Sequence, residues 1–251
     1  MDSRRLQILR AMDVDVWVRR DLPADTVPAA TPGAVMSQPA PPVPTPMVPV
    51  LPVEAPDGRV AQMGWDELAS LVRGCTLCQL HTTRTQTVFG VGNRLAEWMV
   101  IGEAPGADED RQGEPFVGRA GQLLNSMLRA IGFPREQVFI ANVLKCRPPG
   151  NRDPRPEEVA CCMPYLVRQI ELVNPRMILC VGRIAAQNLL HTDTPIGKLR
   201  GQVHRLGAQQ RPVVVTYHPA YLLRSPGEKR KAWEDLQLAM RTHAAEPQRT
   251  T

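Results

Sequence analysis

Four short apolar runs, each leading toward a segment with helical spacing, are the feature that most constrains the fold. The runs are Trp98–Ile101, Val138–Val143, Met177–Val181 and Val213–Tyr217, and the helical segments lie at about 120–131, 156–173, 183–190 and 228–244. Strands that alternate with helices predict a parallel sheet covered on both faces. We therefore expect an α/β fold, a three-layer αβα sandwich with a small central sheet of about four parallel strands.

The chemistry of such a fold is expected where the strands end. Ligands of parallel α/β sheets bind beyond the carboxyl ends of the strands. Three segments follow predicted strands: GEAPG at 102–106, the run from Asn142 to Arg147, and HPA at 218–220. These segments are the first candidates for a functional site.

The amino-terminal quarter has a different composition. Eleven of the 25 prolines lie between Pro23 and Pro56, mixed with Ala, Val and Thr. Such a composition predicts an extended, disordered linker over 23–60. Leu6, Leu9 and Met12 recur at helical spacing, so residues 1–22 are a candidate amphipathic docking segment. Two interpretations stay open: a disordered tail without function, or a tethered peptide (residues 1–20) for an unknown protein partner. The folded domain is expected at 61–244, followed by a disordered tail at 245–251.

The net charge of +5 is unevenly distributed. Residues 1–60 hold 6 Lys/Arg and 7 Asp/Glu, a net of −1, so residues 61–251 carry +6. A basic folded part suits a polyanionic partner. No apolar run approaches the roughly 18 residues of a membrane span, and the amino terminus has no signal-peptide pattern. The sequence therefore predicts a soluble, cytoplasmic protein, expected to be a monomer.

Six cysteines in a reducing compartment indicate metal or cluster ligation rather than disulfides. Cys75 and Cys78 form a CxxC, Cys146 follows the second predicted strand, and Cys161 and Cys162 lie early in the next helix. Four thiolates hold either zinc or an iron–sulfur cluster, and the spacing does not distinguish them. The sixth cysteine, Cys180, lies inside the apolar strand MILCVG and is expected in the core.

Three motifs in this order carry a family resemblance: GEAPGADEDRQGEPFVGRAGQLL (102–124), NVLKCRPPGNRDP (142–154) and YHPAYLLR (217–224). Together they resemble the family-4 uracil-DNA glycosylases, bacterial and archaeal repair enzymes with a four-iron, four-sulfur cluster. The resemblance covers about residues 64–240. It implies base excision repair of single- or double-stranded DNA: hydrolysis of the N-glycosidic bond of uracil, leaving an abasic site.

The resemblance implies a cluster held by Cys75, Cys78, Cys146 and Cys162. Cys162 is preferred to Cys161 because the family pattern Cys-x-Pro-Tyr-Leu matches Cys162 and residues 164–166. The cluster is expected to be structural.

The resemblance also implies the residues of the active site. Asn142 resembles the base-reading Asn, Phe116 the aromatic side chain that stacks on the flipped base, and His218 the donor to uracil O2. Glu103, between Gly102 and Ala104, resembles the group that positions the attacking water, acting through its carboxylate or through the backbone. Glu109 is expected in a supporting catalytic role, and its neighbours Asp108 and Asp110 in a solvated acidic loop.

Contacts to DNA are expected around the same pocket. Phosphate contacts give affinity without sequence preference, and Arg147, Arg152 and Arg224 are the candidates. Leu222 and Leu223 are candidates for the wedge that fills the gap left by the extruded base. The alternative, to which we give equal weight, is that both leucines are core residues at the start of a helix.

Alternatives to a uracil-specific hydrolase remain at this stage. They are a glycosylase accepting other deaminated bases, a non-catalytic iron–sulfur module that binds DNA or senses damage, and a zinc protein of unrelated function. Relatives that bond covalently to the abasic sugar resemble GEQPG at the first motif and insert a basic loop beyond it. Here residue 104 is Ala and no such insertion is present, which favours hydrolysis with turnover.

Overall fold

A computed structural model describes residues 58–246. The predicted docking segment (1–22), nearly all of the predicted linker and residues 247–251 lie outside this range. The described part is built on one six-stranded sheet in the order β1-β3-β2-β4-β6-β5. Its strands are β1 (Val91–Gly92), β2 (Trp98–Gly102), β3 (Phe139–Asn142), β4 (Met177–Val181), β5 (Val203–Leu206) and β6 (Arg211–Thr216).

Eight α-helices connect or flank the strands in the described range. They are α1 (Trp65–Arg73), α2 (Ala107–Gln112), α3 (Arg119–Ala130), α4 (Pro156–Val173), α5 (Arg183–Leu189), α6 (Ile196–Leu199), α7 (Pro219–Arg224) and α8 (Lys229–Ala245). Short 3-10 turns precede or follow several of them, among them Arg135–Gln137 before β3 and Pro149–Asn151 after it.

The three-layer arrangement follows from the alternation of side chains along fully buried strands. In β2, Met99 and Ile101 join a core cluster with Leu166 of α4. Trp98 and Val100 point to the other face, into a cluster with Leu124 of α3 and Leu236 of α8. The sheet thus has an apolar layer on each side. This confirms the predicted α/β sandwich.

The four central strands, β3, β2, β4 and β6, are parallel, as predicted. Two antiparallel edge strands complete the sheet: β1 pairs with β3, and β5 with β6. The sequence did not predict them because β1 has only two residues and β5, VHRL, has two consecutive polar residues between its apolar ones and so lacks the alternation of a strand. The observed sheet is therefore mixed and larger than expected.

A small third core cluster attaches α1 to α4. Val60, Leu68, Val72 and Tyr165 are buried together. Val60 is only 8% exposed, so it belongs with the folded part although it stands at the end of the predicted linker. Within the described range, no helix is long and apolar enough to cross a membrane.

Candidate active site

The carboxyl ends of the central strands surround a cavity of about 430 Å³. Glu103 follows β2, Asn142 ends β3 and His218 follows β6, and all three line the cavity. Phe116, from the loop before α3, forms another wall. The structure therefore brings together the four side chains that the sequence analysis singled out. It does so because parallel strands direct their carboxyl ends to one edge of the sheet.

Close packing at Gly102 sets the position of two of these side chains. Gly102 pairs with Asn142 across β2 and β3. A Cβ at Gly102 would lie 2.4 Å from Asn142 Oδ1 and 2.6 Å from Phe116 Cζ. A glycine is therefore required for the amide and the ring to approach the end of β2 together.

The amide of Asn142 is buried but not satisfied. Asn142 is 2% exposed, and its Oδ1 has no hydrogen-bond partner among the described residues. A buried acceptor left without a partner costs stability. Its presence at the wall of a cavity indicates a ligand that donates a hydrogen bond there.

His218 is a neutral imidazole with its proton on Nε2. The backbone N–H of Ala220 donates to His218 Nδ1 at 3.1 Å, which assigns the remaining ring proton to Nε2. Burial lowers the pKa of His218 to about 4, Arg224 lowers it further and Glu109 opposes the shift. The ring lies 5.6 Å from that of Phe116 at an interplanar angle of 30°. His218 is therefore arranged as a hydrogen-bond donor near the aromatic wall.

Glu103 is a partly buried carboxyl group. Burial raises its pKa to about 7; nearby Asp153 contributes to the rise, and Arg183 opposes it. The backbone carbonyl of Glu103 accepts from Leu144 N–H at 3.0 Å, which fixes the chain directly after β2. A carboxyl group with a pKa near neutrality, in a cavity, has the properties of a general base or a water-orienting group.

The carboxylate of Glu109 is committed to backbone amides. Its Oε2 accepts from Gly106 N–H at 3.1 Å, and its Oε1 accepts from Val117 and Gly118 N–H at 3.0 and 3.2 Å. These bonds join the start of α2 to the residues directly after Phe116. Glu109 lines the cavity, and its hydrogen bonds make it a positioning group for the aromatic wall.

The expectation that Asp110 lies in a solvated acidic loop is wrong. Asp110 is 3% exposed, and both of its carboxylate oxygens accept from Thr85 N–H at 3.0 Å. The short helix α2, which the sequence analysis did not identify, turns Asp110 inward. Its neighbour Asp108 is half-exposed and forms an ion pair with Arg111.

The three arginines predicted to contact DNA have different hydrogen-bond partners. Arg152 binds the buried carboxylate of Glu158 through both terminal nitrogens, at 2.9 and 2.5 Å. Arg147 donates from Nε to Asn151 Oδ1 at 2.7 Å. Arg224 is exposed at the end of α7 and lines the cavity. Its position makes Arg224 the candidate best placed to meet a phosphate at the cavity mouth.

The two wedge candidates on α7 occupy different environments. Leu222 is fully buried in the core cluster that contains α3 and α8. Leu223 is 37% exposed and is one of four large apolar side chains exposed in the described range. Leu223 therefore remains available for contact with DNA, whereas Leu222 serves the core.

The cysteines predicted as cluster ligands come from three parts of the chain. Cys75 and Cys78 follow α1, Cys146 follows β3 and Cys162 lies on α4; Cys146 and Cys162 are buried, and the CxxC cysteines are half-buried. Burial raises the pKa of both Cys161 and Cys162; Cys146 and Cys78 add to the rise at Cys162, and Cys78 and Cys75 add to it at Cys161. The Cys161 thiol also donates to the backbone carbonyl of Leu77 at 3.4 Å. In the described range, no group of three or more His, Cys, Asp or Glu is arranged to hold a metal ion. Cys180 is fully buried in β4, as expected.

Positive charge accompanies these thiols. Arg84 donates from Nη1 to Cys146 Sγ at 3.1 Å. Lys145 is only 1% exposed; burial lowers its pKa to about 7, and the nearby Cys162 and Cys146 oppose the shift. Its Nζ donates to the backbone carbonyl of Asn142 at 2.8 Å. The sequence analysis did not identify Lys145, because a lysine beside a cysteine gives no indication that it is buried.

Comparison with known proteins finds similarity to uracil-DNA glycosylases both in a family model and in individual relatives. The family model described as the Uracil DNA glycosylase superfamily matches residues 89–237. A type-4 uracil-DNA glycosylase of Archaeoglobus fulgidus is 50% identical over 167 residues, which are 64% of this chain and 84% of the relative. The type-4 enzyme of Thermotoga maritima is 45% identical (67% of this chain, 88% of the relative), and that of Pyrobaculum aerophilum 42% identical (69% and 92%).

Proposed function

The chain belongs to the uracil DNA glycosylase superfamily. From that premise we propose that the cavity around Asn142 is the place where the N-glycosidic bond between uracil and DNA is hydrolysed. The protein is a uracil-DNA glycosylase of DNA repair. The chemistry requires a pocket that accepts a base turned out of the helix, reads its edge and stabilises the negative charge of the departing ring. The side chains of the cavity divide these tasks among them.

The observation that carries the proposal is the buried, unpartnered Oδ1 of Asn142. The N3–H of uracil is the donor that this oxygen lacks, and the Asn142 amide N–H donates to uracil O4. Cytosine presents an acceptor at N3 and an amino donor at C4, so this amide orientation disfavours it. Gly102 permits the arrangement because it leaves the end of β2 free of a side chain.

Phe116 and His218 contact other parts of the uracil ring, its face and its O2 edge. The face of Phe116 stacks on the base, which offsets part of the cost of unstacking it from DNA. His218 donates from Nε2 to uracil O2, where negative charge develops as the glycosidic bond breaks. A donor already oriented by the Ala220 N–H stabilises that charge without reorganising.

Glu103 acts on the sugar side of the reaction. As a carboxylate it orients the attacking water and stabilises positive charge on the deoxyribose. Water adds to C1′ as the C1′–N1 bond breaks, and the electron pair of that bond leaves with the uracil anion. The proton that the water loses passes to the Glu103 carboxylate and from there, through solvent, neutralises the anion. The pKa of about 7 keeps a substantial fraction of Glu103 ionised at neutral pH. The products are free uracil and an abasic site.

The same resemblance extends the proposal to a four-iron, four-sulfur cluster on Cys75, Cys78, Cys146 and Cys162. Such a cluster takes one thiolate for each iron, so its four ligands surround several atoms rather than a single ion. The donor set fits this group, because four cysteine thiols are available and the Arg84 guanidinium, which donates to Cys146 Sγ, favours the thiolate form that binds it. When bound, the cluster supplies a structural link between α1, β3 and α4.

The test uses the full-length protein and a labelled oligonucleotide with one deoxyuridine, with a thymine oligonucleotide beside it. Strand scission after alkali, and only with uracil, is expected from the unaltered protein. Asn142→Ala should reduce the single-turnover rate about 100-fold or more. The matched control is Asn188→Ala on α5, away from the cavity, which should retain the rate. An unaltered rate in Asn142→Ala would overturn the proposed reading of the base, and binding without scission would favour the non-catalytic module.

A further inference from the structure

The loop that carries Phe116 is held from both sides by charged side chains. The guanidinium of Arg135 donates from Nη2 to the Pro115 carbonyl at 2.7 Å and from Nη1 to the Phe116 carbonyl at 3.2 Å. The carboxylate of Glu109 accepts the N–H groups of the next two residues. Four consecutive residues thus have a backbone group fixed by either Arg135 or Glu109.

Phe116 needs such support because its backbone is strained. Its φ of 55° lies in the left-handed region, which is costly for a bulky side chain. Its carbonyl also lies directly against α3, since a Cβ at Gly121 would stand 1.8 Å from that oxygen. An aromatic residue persists in this conformation only where its surroundings enforce it.

Arg135 connects two parts of the site. It lies at the start of the 3-10 turn Arg135–Gln137, four residues before β3 begins at Phe139, and β3 ends at Asn142. Its Nη1 also donates to Asn125 Oδ1 on α3, at 3.4 Å. The Arg135 side chain therefore links the loop that carries Phe116 to α3, which follows that loop, and to the turn that leads into β3 and Asn142.

We propose that Arg135 is a positioning residue for base stacking: its two-pronged guanidinium holds Phe116 in the left-handed conformation that turns the ring toward the flipped uracil. This inference rests on the proposed role of Phe116. The geometry requires arginine, because the two carbonyls are met by two nitrogens of one planar group. A lysine keeps the charge but offers a single nitrogen and cannot reproduce both bonds in that arrangement.

A double-mutant cycle tests the inference in the full-length protein. The variants are Arg135→Lys, Phe116→Leu and the combination, with Arg129→Lys as the control, an exposed arginine on α3. The measurements are the single-turnover excision rate and the inhibition constant of free uracil. Inhibition by the free base reports the shape of the pocket rather than the fold, and thermal unfolding is recorded for each variant.

Arg135→Lys is expected to slow excision about tenfold or more and to weaken uracil inhibition by a similar factor, while Arg129→Lys changes neither. The double variant should be no worse than Phe116→Leu alone, because both changes remove the same stacking contact. Gly121→Ala displaces the same carbonyl by another route and should give the same non-additive result with Phe116→Leu.

Two outcomes separate the inference from the proposed function. If Phe116→Leu impairs excision but Arg135→Lys does not, or if the two effects multiply, Arg135 does not act through Phe116 and the inference alone is overturned. If Phe116→Leu itself leaves both measurements unaltered, the proposed stacking role fails and the inference fails with it.

Discussion

At the scale of single residues, the site is defined by protonation states as much as by positions. His218 is neutral because burial lowers its pKa to about 4, and Glu103 titrates near neutrality because burial raises its pKa to about 7. The histidine is therefore a donor over the whole neutral range. The charge of Glu103 does change within that range. The pH dependence of the reaction near neutrality is therefore expected to report Glu103 rather than His218.

The single-turnover rate is expected to rise with pH through about 7 and then level off. Glu103 is an acid whose pKa is raised in the folded state, so its active carboxylate form accumulates only as the pH passes that value. Glu103→Gln should lower the plateau and remove the rise, whereas Glu157→Gln, on the exposed start of α4, should keep it. A rise that survives in Glu103→Gln would assign the titration to another group.

The same shift predicts a change in stability. Between its ordinary pKa of 4.5 and about 7, Glu103 binds more protons in the folded than in the unfolded state. This carboxyl group therefore lowers the free energy of unfolding as the pH rises through this interval, against the increase that His218, with its lowered pKa, contributes between about 4 and 6.5. Denaturant titrations at several pH values isolate the contribution of Glu103 as the difference between the unaltered protein and Glu103→Gln, and the variant should gain stability relative to the unaltered protein as the pH rises from 4.5 to about 7. An equal pH dependence in both proteins would contradict the burial of this carboxyl group.

At the scale of elements, the helix α7 shows how neighbouring residues take different roles. Its six residues follow His218 directly, so the same short helix orients the histidine through Ala220, fills the core with Leu222 and exposes Leu223. The two leucines are adjacent in sequence and point about 100° apart. The motif YHPAYLLR placed both near DNA, and only the packing of α7 on the sheet distinguishes them.

Substitution of these leucines should therefore give opposite phenotypes. Leu222→Ala should destabilise the fold by about 2–5 kcal/mol, the usual cost of a core cavity. Leu223→Ala should leave stability unaltered and slow excision from double-stranded DNA more than from single-stranded DNA, because only a duplex leaves a gap to fill. An equal fold-reduction of the rate on both substrates in Leu223→Ala, relative to the unaltered protein, would remove this residue from the wedge.

The helix α4 offers a similar comparison with its two adjacent cysteines. Cys162→Ala should lose the iron–sulfur cluster, while Cys161→Ala should keep it, because Cys162 is buried near Cys146 and Cys161 is half-buried against the Leu77 carbonyl. Iron and acid-labile sulfide content, together with visible absorption, measure the loss. The reverse result would assign the ligand to Cys161.

At the scale of the whole molecule, the described residues contain the sheet and a complete cavity. Among them, every side chain that lines the cavity comes from residues 103–224, and the packed part includes Val60. Removal of residues 1–57 is therefore expected to leave excision from a short oligonucleotide within about twofold of the full-length rate, because it removes none of these side chains. A strong loss of activity would give the amino-terminal segment a direct part in substrate binding.

The family, the four parallel strands and the gathering of their terminal residues were available from the sequence. The motifs at 102–124, 142–154 and 217–224 identified the family, and the comparisons confirm it. The alternation of apolar runs with helical segments predicted the sandwich. These signals are local, since periodicity and motif spacing are properties of consecutive residues.

What only the tertiary structure decided depends on contacts between distant segments. No local pattern indicated that Asp110 is buried against Thr85, that Lys145 reaches the carbonyl of Asn142, or that Arg135 holds the carbonyls before and at Phe116. Charged residues in a sequence predict exposure, because burying an unpaired charge is costly. The sequence by itself determined which chemistry the chain carries. The fold decided which charges are paired inside, and so how the pocket is held in shape.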